Sequence, residues 1–358
     1  MNRALGDASR FVFGLRGPAL EADEKAFFAA RCPLGFLLFR RNLQTPSQAV
    51  ELLEELRGLY SPPPLLFVDQ EGGSVDRLGP LLGTAFASAA ACAAAGTDRV
   101  HENAYLMGRA ARLLGFDVDF APCLDLAQPR AGAVVLEGRC FGFHAEDVVL
   151  AGMVFVHGLA RAGLATCLKH FPGLGRGAVD SHRKLPVVDA HDVDLMVTDV
   201  APFAKLARSG DGVMVGHGAY PGFEDGALVP ASLSPRIHAI LRGPVRFDGV
   251  VYSDDLEMGA LEGALPERAA RAAAAGCDVL VLSNTFEAYE EAVARVADLG
   301  EDPARARRLA ALRRRVAGAP RPRFTEEAWT HLAEEAAAFG ELVAKPRPKR
   351  EERDFGFS

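Results

Sequence analysis

The sequence lacks paired cysteines. Its six cysteines stand singly, with no CxxC or CxxxC spacing among them. Spacing of that kind marks many zinc sites, and dense cysteines mark small disulfide-stabilised domains. We therefore expect neither, and predict reduced thiols in or near a core at Cys32, Cys92, Cys123, Cys140, Cys167 and Cys277.

Long apolar runs and excess basic charge are also missing. No segment reaches about 18 uncharged apolar residues, the minimum for a membrane-spanning helix. Residues 1–17 contain no apolar run typical of a signal peptide. The net charge of -7 gives no electrostatic footprint for nucleic acid or an anionic membrane. We expect a soluble cytoplasmic protein that binds neither.

What the sequence does contain is an alternation of short apolar runs with helical-period segments. That alternation predicts parallel strands joined by crossover helices. Eight such runs occur, the number that closes a (β/α)8 TIM barrel. They lie at residues 11–15, 36–39, 65–69, 116–121, 165–170, 212–217, 249–254 and 278–283.

One domain accounts for nearly the whole chain. Two further helices, near 302–317 and 325–343, are expected to pack around the barrel. We assign residues 1–343 to a single α/β barrel domain. Residues 344–358 are charged and contain proline, which predicts a disordered tail.

Polar side chains follow most of the predicted strands. In barrels of this type the reactive groups lie at the carboxyl ends of the strands. Any one of these residues could be a simple turn residue, but their convergence predicts a pocket for a polar ligand. The strand ends carry Arg40–Asn42, Asp69–Gly73, Asp125, Lys169–His170, His217 and Asp254–Asp255.

Several motifs, in this order, resemble glycoside hydrolase family 3, and within it the β-N-acetylhexosaminidases that recycle cell-wall fragments. The most specific are KHFPG followed by DSH, and SDDLEM; the others are FLLFRRN, FVDQEGGSVDRL, GFDVDFAPCLDL and GRCFGFHAEDV. The resemblance implies that Asp254 is the catalytic nucleophile and that Asp180 and His182 form an acid/base dyad on a mobile loop. It also implies that the sugar hydroxyls are held by Asp69, Arg139, Lys169 and His170.

The chemistry of these residue types fits those roles. A retaining glycosidase needs a carboxylate beneath the anomeric carbon and a proton donor beside the leaving oxygen. Asp180 and His182 are two residues apart, so in an extended chain their side chains point the same way and can bond. Histidine can both give and take a proton near neutral pH. The glycines and Pro172 would let the loop close over a bound sugar.

Two positions depart from the family pattern. Ser74 stands where DQEGGRV usually has arginine, and Leu174 stands where KHFPGHG usually has a second histidine. Serine cannot replace a charged, forked donor. Arg77 or another basic side chain therefore reaches the sugar instead, or binding is weaker, or the preferred sugar differs. Met258 resembles a pocket residue of the family, although methionine by default packs in a core.

Two further carboxylates follow the third and seventh predicted strands without a role in the motif pattern. Asp255 should point to the opposite side of the strand from Asp254 and serve as a structural carboxylate. Glu71 is an alternative acid/base, but a turn-stabilising role is commoner for such a residue.

The expected activity is exo-β-N-acetylglucosaminidase acting on peptidoglycan fragments through a glycosyl-aspartate intermediate. We expect a monomer with a small carbohydrate or muropeptide substrate, no cofactor and no metal. Phosphorolysis, a different sugar preference and a non-catalytic sugar sensor stay open. A metallohydrolase is disfavoured because His170, His182 and His217 lack ligand spacing on one element.

Overall fold

The computed structural model describes residues 8–128, 136–177, 179–300 and 302–345. Eight parallel strands follow one another around a closed barrel, and the last pairs with the first. The predicted (β/α)8 TIM barrel is therefore confirmed. The strands are β1 Phe11–Phe13, β2 Gly35–Leu38, β3 Leu65–Val68, β4 Val118–Asp119, β5 Ala165–Phe171, β6 Gly212–Val215, β7 Val250–Asp255 and β8 Val279–Leu282.

The strands read as continuous apolar runs because both of their faces are buried. In β1, Val12 points into the barrel, whereas Phe11 and Phe13 pack outward against the helices. Inside the barrel, Phe67, Phe120 and Tyr252 pack with ring centroids 5.1–6.0 Å apart. The interior is thus a filled core, and a ligand site is restricted to the barrel's end.

Helices surround the strands and occupy the loops between them. One of them shows a side-chain cap at its start: Thr45 accepts a hydrogen bond from the Gln48 N–H at the beginning of the helix Pro46–Arg57. Up to strand β8 the helices are α1 Ala22–Arg31, α2 Pro46–Arg57, α3 Gly79–Leu82, α4 Ala89–Ala95, α5 Thr97–Leu114, α6 Ala145–Ala162, α7 Asp192–Val197, α8 Ala201–Leu206, α9 Pro235–Arg242 and α10 Leu265–Ala275. After β8 come α11 Tyr289–Ala297, α12 Pro303–Ala317 and α13 Glu326–Ala344.

The last two helices have different positions. α12 places Leu309, Leu312 and Val316 in the inner cluster beside the first residues of the strands, so it closes the base of the barrel. α13 packs on the outside, where the Trp329 indole N–H donates to the Leu81 carbonyl at 3.2 Å. The predicted tail, 344–358, lies outside the described residues from position 346 onward.

Two strands lose regular register at their carboxyl ends. The β5–β6 pairing shifts between Leu168 and Phe171, and the β7–β8 pairing shifts between Tyr252 and Asp255. Irregularities of this kind re-aim side chains and are common beside active sites. Both lie at the end of the barrel where polar residues gather.

Within the described residues, every helix is too short or too polar to cross a membrane.

Candidate active site

A pocket of about 330 Å³ opens at the carboxyl ends of the strands. Eight of the nine residues predicted for the site line it, and the ninth, Asp180, is hydrogen-bonded to one of them. The eight are Asp69, Arg77, Arg139, Lys169, His170, His182, Asp254 and Met258. Side chains from the ends of strands β3, β5 and β7 and from the loops after β3, β4, β5 and β7 therefore share one cavity.

Asp254 presents a carboxylate to this pocket from the end of β7. One of its oxygens accepts a hydrogen bond from the Asp255 N–H at 2.9 Å. Burial would raise the pKa of Asp254, but the nearby imidazoles of His217 and His170 outweigh it, and the pKa is lowered. The group is therefore an anion at neutral pH, the state that a nucleophile requires.

Asp180 and His182 form a pair, but in a turn and not in the extended chain that the sequence predicted. The carboxylate of Asp180 accepts from the His182 backbone N–H at 2.9 Å and from imidazole Nδ1 at 2.7 Å. Its carbonyl also accepts from the Arg183 N–H. An Asx turn and a carboxylate–imidazole pair thus coexist. Because Nδ1 donates to Asp180, Nε2 is left as the atom that can act on a ligand.

The loop that carries His182 is hydrogen-bonded to the segment that follows β7. Gly259 N–H donates to the His182 carbonyl and Ala260 N–H donates to the Ser181 carbonyl, both at 3.1 Å. A β-carbon at Gly259 would lie 2.8 Å from the His182 oxygen and 3.0 Å from the Arg183 oxygen. Glycine at 259 is what allows this close approach, which holds His182 over the strand that ends in Asp254.

A chain of buried ion pairs crosses the floor of the pocket. Lys169 Nζ lies 2.7 Å from Asp69 and 2.6 Å from Glu71. Arg139 binds both oxygens of Glu71 at 2.8 Å. Burial would raise the pKa of Glu71, but Arg139 and Lys169 outweigh it and hold that pKa well below its usual range. Glu71 is therefore the anion that positions Lys169 and Arg139. This role differs from both roles considered from the sequence, acid/base catalysis and stabilisation of a turn.

His170 is held by a second buried carboxylate. Its Nδ1 donates to Asp125 at 2.7 Å, and the other oxygen of Asp125 accepts from the Leu174 backbone N–H at 2.6 Å. Burial would lower the pKa of His170, but Asp125 raises it to about 10. His170 is therefore an imidazolium at neutral pH. Since Leu174 contributes its backbone to this arrangement, a leucine can occupy the position where the family has histidine.

Arg77 faces the pocket on the loop after β3. Its Nε is buried and has no hydrogen-bond partner within the described part of the chain. Its backbone N–H donates to the Gln70 side chain at 2.9 Å, which fixes the start of the loop. Ser74, from the same loop, also lines the pocket. An arginine donor is thus available beside the serine that replaces the family's arginine.

Two strand-end predictions were wrong. Asp255 was expected to point away from the site, but it lines the pocket with Asp254 because the register of β7 shifts there. Burial raises its pKa to about 7, and Ser283 donates to its carboxylate. The Arg40–Asn42 segment does not line the pocket: Arg41 and Asn42 both donate to the Leu15 carbonyl and so serve the structure.

His217, which follows β6, uses both of its ring nitrogens in hydrogen bonds within the protein. Its Nε2 donates to the Asp255 carbonyl at 2.8 Å and its Nδ1 accepts from the Ser232 hydroxyl at 2.7 Å.

Within the described residues, one group of side chains brings potential metal ligands together. It consists of Cys123, Asp125 and His170.

A model of the glycosyl hydrolase family 3 N-terminal domain matches residues 20–318. The chain belongs to glycosyl hydrolase family 3. It is 37% identical over 308 residues to a β-hexosaminidase of Methylococcus capsulatus, covering 84% of this chain and 90% of that one. As a family 3 member with relatives of this kind, it is a glycoside hydrolase of the β-hexosaminidase type that acts on a small carbohydrate.

Solved structures of the family agree with this fold. A family 3 β-N-acetylglucosaminidase from Paenibacillus matches with a TM-score of 0.83 and 31% identity over 94% of this chain and 69% of that one. NagZ from Neisseria gonorrhoeae, in complex with N-trifluoroacetyl-D-glucosamine, matches with a TM-score of 0.80 and 27% identity over 96% and 99%.

The Gly259 contact generates a prediction for this family 3 hydrolase. If His182 is the acid/base that its motif predicts, Gly259→Ala should displace the backbone there and reduce kcat by about 10- to 100-fold, because a small misplacement of a reacting group costs that much. KM for a 4-nitrophenyl N-acetyl-β-glucosaminide should change little, since the ion pairs on the pocket floor are untouched.

Gly17→Ala is the matched control, because a β-carbon there meets nothing within 4 Å. Thermal unfolding of both variants should resemble that of the unaltered protein. Equal kcat values for the two variants would show that the contact does not position the loop.

Proposed function

We propose that this chain is a retaining exo-β-N-acetylglucosaminidase, with Asp254 as the nucleophile and His182 as the acid/base. The observation that carries the proposal is that an ionised carboxylate and an imidazole whose Nδ1 is bound to Asp180 line one pocket. A double displacement needs those two groups on one sugar.

In the proposed first step, Asp254 attacks the anomeric carbon while His182 gives a proton to the leaving oxygen. The glycosidic bond breaks and a glycosyl-aspartate forms. In the second step His182 takes a proton from water, which attacks the same carbon and releases Asp254. Asp180 supports the imidazolium form of His182, since its carboxylate accepts from Nδ1 at 2.7 Å.

The sugar would lie between a charged wall and an apolar wall. Asp69, Lys169 and Arg77 offer acceptors and donors for hydroxyl groups, and Met258 and Leu174 offer apolar surface for ring faces and an acetyl methyl. The complex of Neisseria NagZ with N-trifluoroacetyl-D-glucosamine supports an N-acylated glucosamine here. A pocket of about 330 Å³ suits a terminal sugar better than a long chain.

We further propose that the physiological substrate is an N-acetylglucosaminyl muropeptide from peptidoglycan, cleaved in the cytoplasm by a monomer without a cofactor. This part rests on the resemblance of the motifs to cell-wall recycling enzymes. Incubation with purified muropeptides should release N-acetylglucosamine, and cell fractionation should recover the protein with cytoplasmic markers.

The mechanism predicts different defects for the two reacting residues. Asp254→Asn should lower kcat by at least about 10⁴-fold, because an amide cannot attack in place of a carboxylate. His182→Ala should lower kcat by about 10²- to 10⁴-fold. With a 4-nitrophenyl glycoside, whose leaving group needs little protonation, His182→Ala should release one equivalent of nitrophenolate rapidly and then stall as a glycosyl-enzyme visible by mass spectrometry.

His331→Ala, an exposed histidine on α13, is the matched control and should retain full activity. No burst and no adduct in His182→Ala would contradict its role in the second step. Products with and without inorganic phosphate distinguish hydrolysis from phosphorolysis. Binding of N-acetylglucosamine with no turnover of either glycoside would support a sugar sensor instead.

The serine at position 74 generates a prediction about affinity. Ser74→Arg should lower KM for N-acetyl-β-glucosaminides by about tenfold, because a charge-assisted hydrogen bond contributes about 1.5 to 3 kcal/mol. Ser74→Met, similar in length but uncharged, is the control and should not lower KM. A higher KM in Ser74→Arg would mean that Arg77 already occupies that part of the pocket.

A further inference from the structure

The motif FLLFRRN continues past β2, and its last aromatic residue, Phe39, lines the sugar pocket. The side chain of Phe39 is partly buried and packs against the apolar cluster inside the barrel. It extends the inward-facing row to which Leu37 belongs, because residues two apart on a strand point to the same side. Phe39 is therefore a large apolar group at the inner rim of the barrel, and the proposed reaction assigns it no role.

The residues after Phe39 hold its ring in place. The guanidinium of Arg41 lies over the ring, 4.7 Å from its centroid. The same guanidinium donates to the carbonyls of Leu15 and Ser283. Asn42, which is fully buried, accepts from the Phe39 backbone N–H at 2.8 Å. Neighbouring groups thus fix both the backbone and one face of the ring, so Phe39 presents a preformed surface to a ligand.

The topology of the barrel indicates which end of a sugar this surface would meet. Strand β2 pairs with β3 through Leu38 and Val68. One residue further along both strands, Phe39 lies beside Asp69, and both line the pocket. Strand β7, which carries Asp254, is on the opposite side of the closed barrel. With its anomeric carbon at Asp254, a single sugar would therefore direct its C4–C6 end toward β2 and β3, because C1 and C4 are at opposite ends of a pyranose ring.

We propose that Phe39 forms the end wall of the sugar pocket and selects a terminal N-acetylglucosamine whose C4 and C6 hydroxyls are unsubstituted. This inference rests on the proposed function, because it places the anomeric carbon at Asp254. The C–H groups at the far end of the sugar would pack on the ring of Phe39, whose faces are partly negative. Asp69 would accept a hydrogen bond from a hydroxyl at the same end.

The end wall would also explain why the pocket takes one terminal sugar. A further sugar on the C4 hydroxyl, or a substituent on the C6 hydroxyl, would extend into the space that the Phe39 ring occupies. The ring cannot readily turn away, because Arg41 covers one of its faces and is itself held by two backbone carbonyls. Phe39 would thus contribute both affinity for the terminal sugar and exclusion of longer chains.

Tryptophan fluorescence tests the contact with the sugar without any catalysis. The chain has one tryptophan, Trp329, which packs on the outside of the barrel. In full-length Phe39→Trp protein, N-acetylglucosamine should change the tryptophan emission in a saturable way, whereas the emission of the unaltered protein should stay constant. Phe143→Trp is the matched control, because Phe143 is 56% exposed and lines a separate cavity.

Binding of two methyl ethers tests the end wall. By titration calorimetry, the unaltered protein should bind N-acetylglucosamine at least about 10-fold more tightly than its 4-O-methyl or 6-O-methyl ether, because one additional carbon in a fitted apolar site changes recognition by about 10- to 200-fold. Phe39→Ala should reduce this discrimination by about tenfold for at least one ether. Phe143→Ala should keep it. A general loss of structure would weaken the binding of all three sugars alike.

The outcomes separate the end wall from the proposed function. Unchanged emission of Phe39→Trp, while calorimetry shows the sugar bound, would overturn the contact. Discrimination against both ethers that survives in Phe39→Ala would overturn the wall, and so would an equal loss in Phe143→Ala. A protein that gives the expected spectra and affinities but cleaves no N-acetyl-β-glucosaminide would instead refute the proposed function.

Discussion

Two backbone hydrogen bonds join the loop that carries His182 to the segment that follows Asp254. They run from Gly259 and Ala260 to the carbonyls of His182 and Ser181. Asp254 is fixed by its strand, but His182 lies on a glycine-rich loop that could lie elsewhere. Backbone donors hold that loop at a set distance, whereas a long side-chain contact would not. The absence of a side chain at Gly259 therefore affects the position of His182, which is distant from it in sequence.

The floor of the pocket contains several buried ionised groups, and they are stabilised by pairing with one another. Lys169 and Arg139 would be costly to bury alone, and Glu71 contacts both. Each charge thus has a partner at hydrogen-bond distance, and the cations are held toward the cavity before a ligand arrives. Such preorganisation reduces the cost of ordering donors on binding. His170, paired with Asp125, adds a further fixed cation.

Much of the fold and of the candidate site could be predicted from the sequence, because buried strands appear as apolar runs and strand ends carry polar residues. Continuous apolar runs indicated all eight strands, and the motifs around Asp254 and His182 indicated the pocket. Asp255 was misassigned because simple alternation applies only to regular strands, and a register shift leaves no mark in composition. The ion-pairing role of Glu71 was missed because it depends on Arg139 and Lys169, which are distant in sequence and meet Glu71 only in the folded barrel.

The central claim is that Asp254 and His182 act on one sugar ring. A crystal structure of the Asp254→Asn variant with a bound N-acetylglucosaminide tests it most directly. The account predicts that the glycosidic oxygen lies within about 3 Å of His182 Nε2 and that the anomeric carbon faces residue 254. A sugar bound in another cavity, or one whose glycosidic oxygen lies beyond about 10 Å from that imidazole, would contradict it.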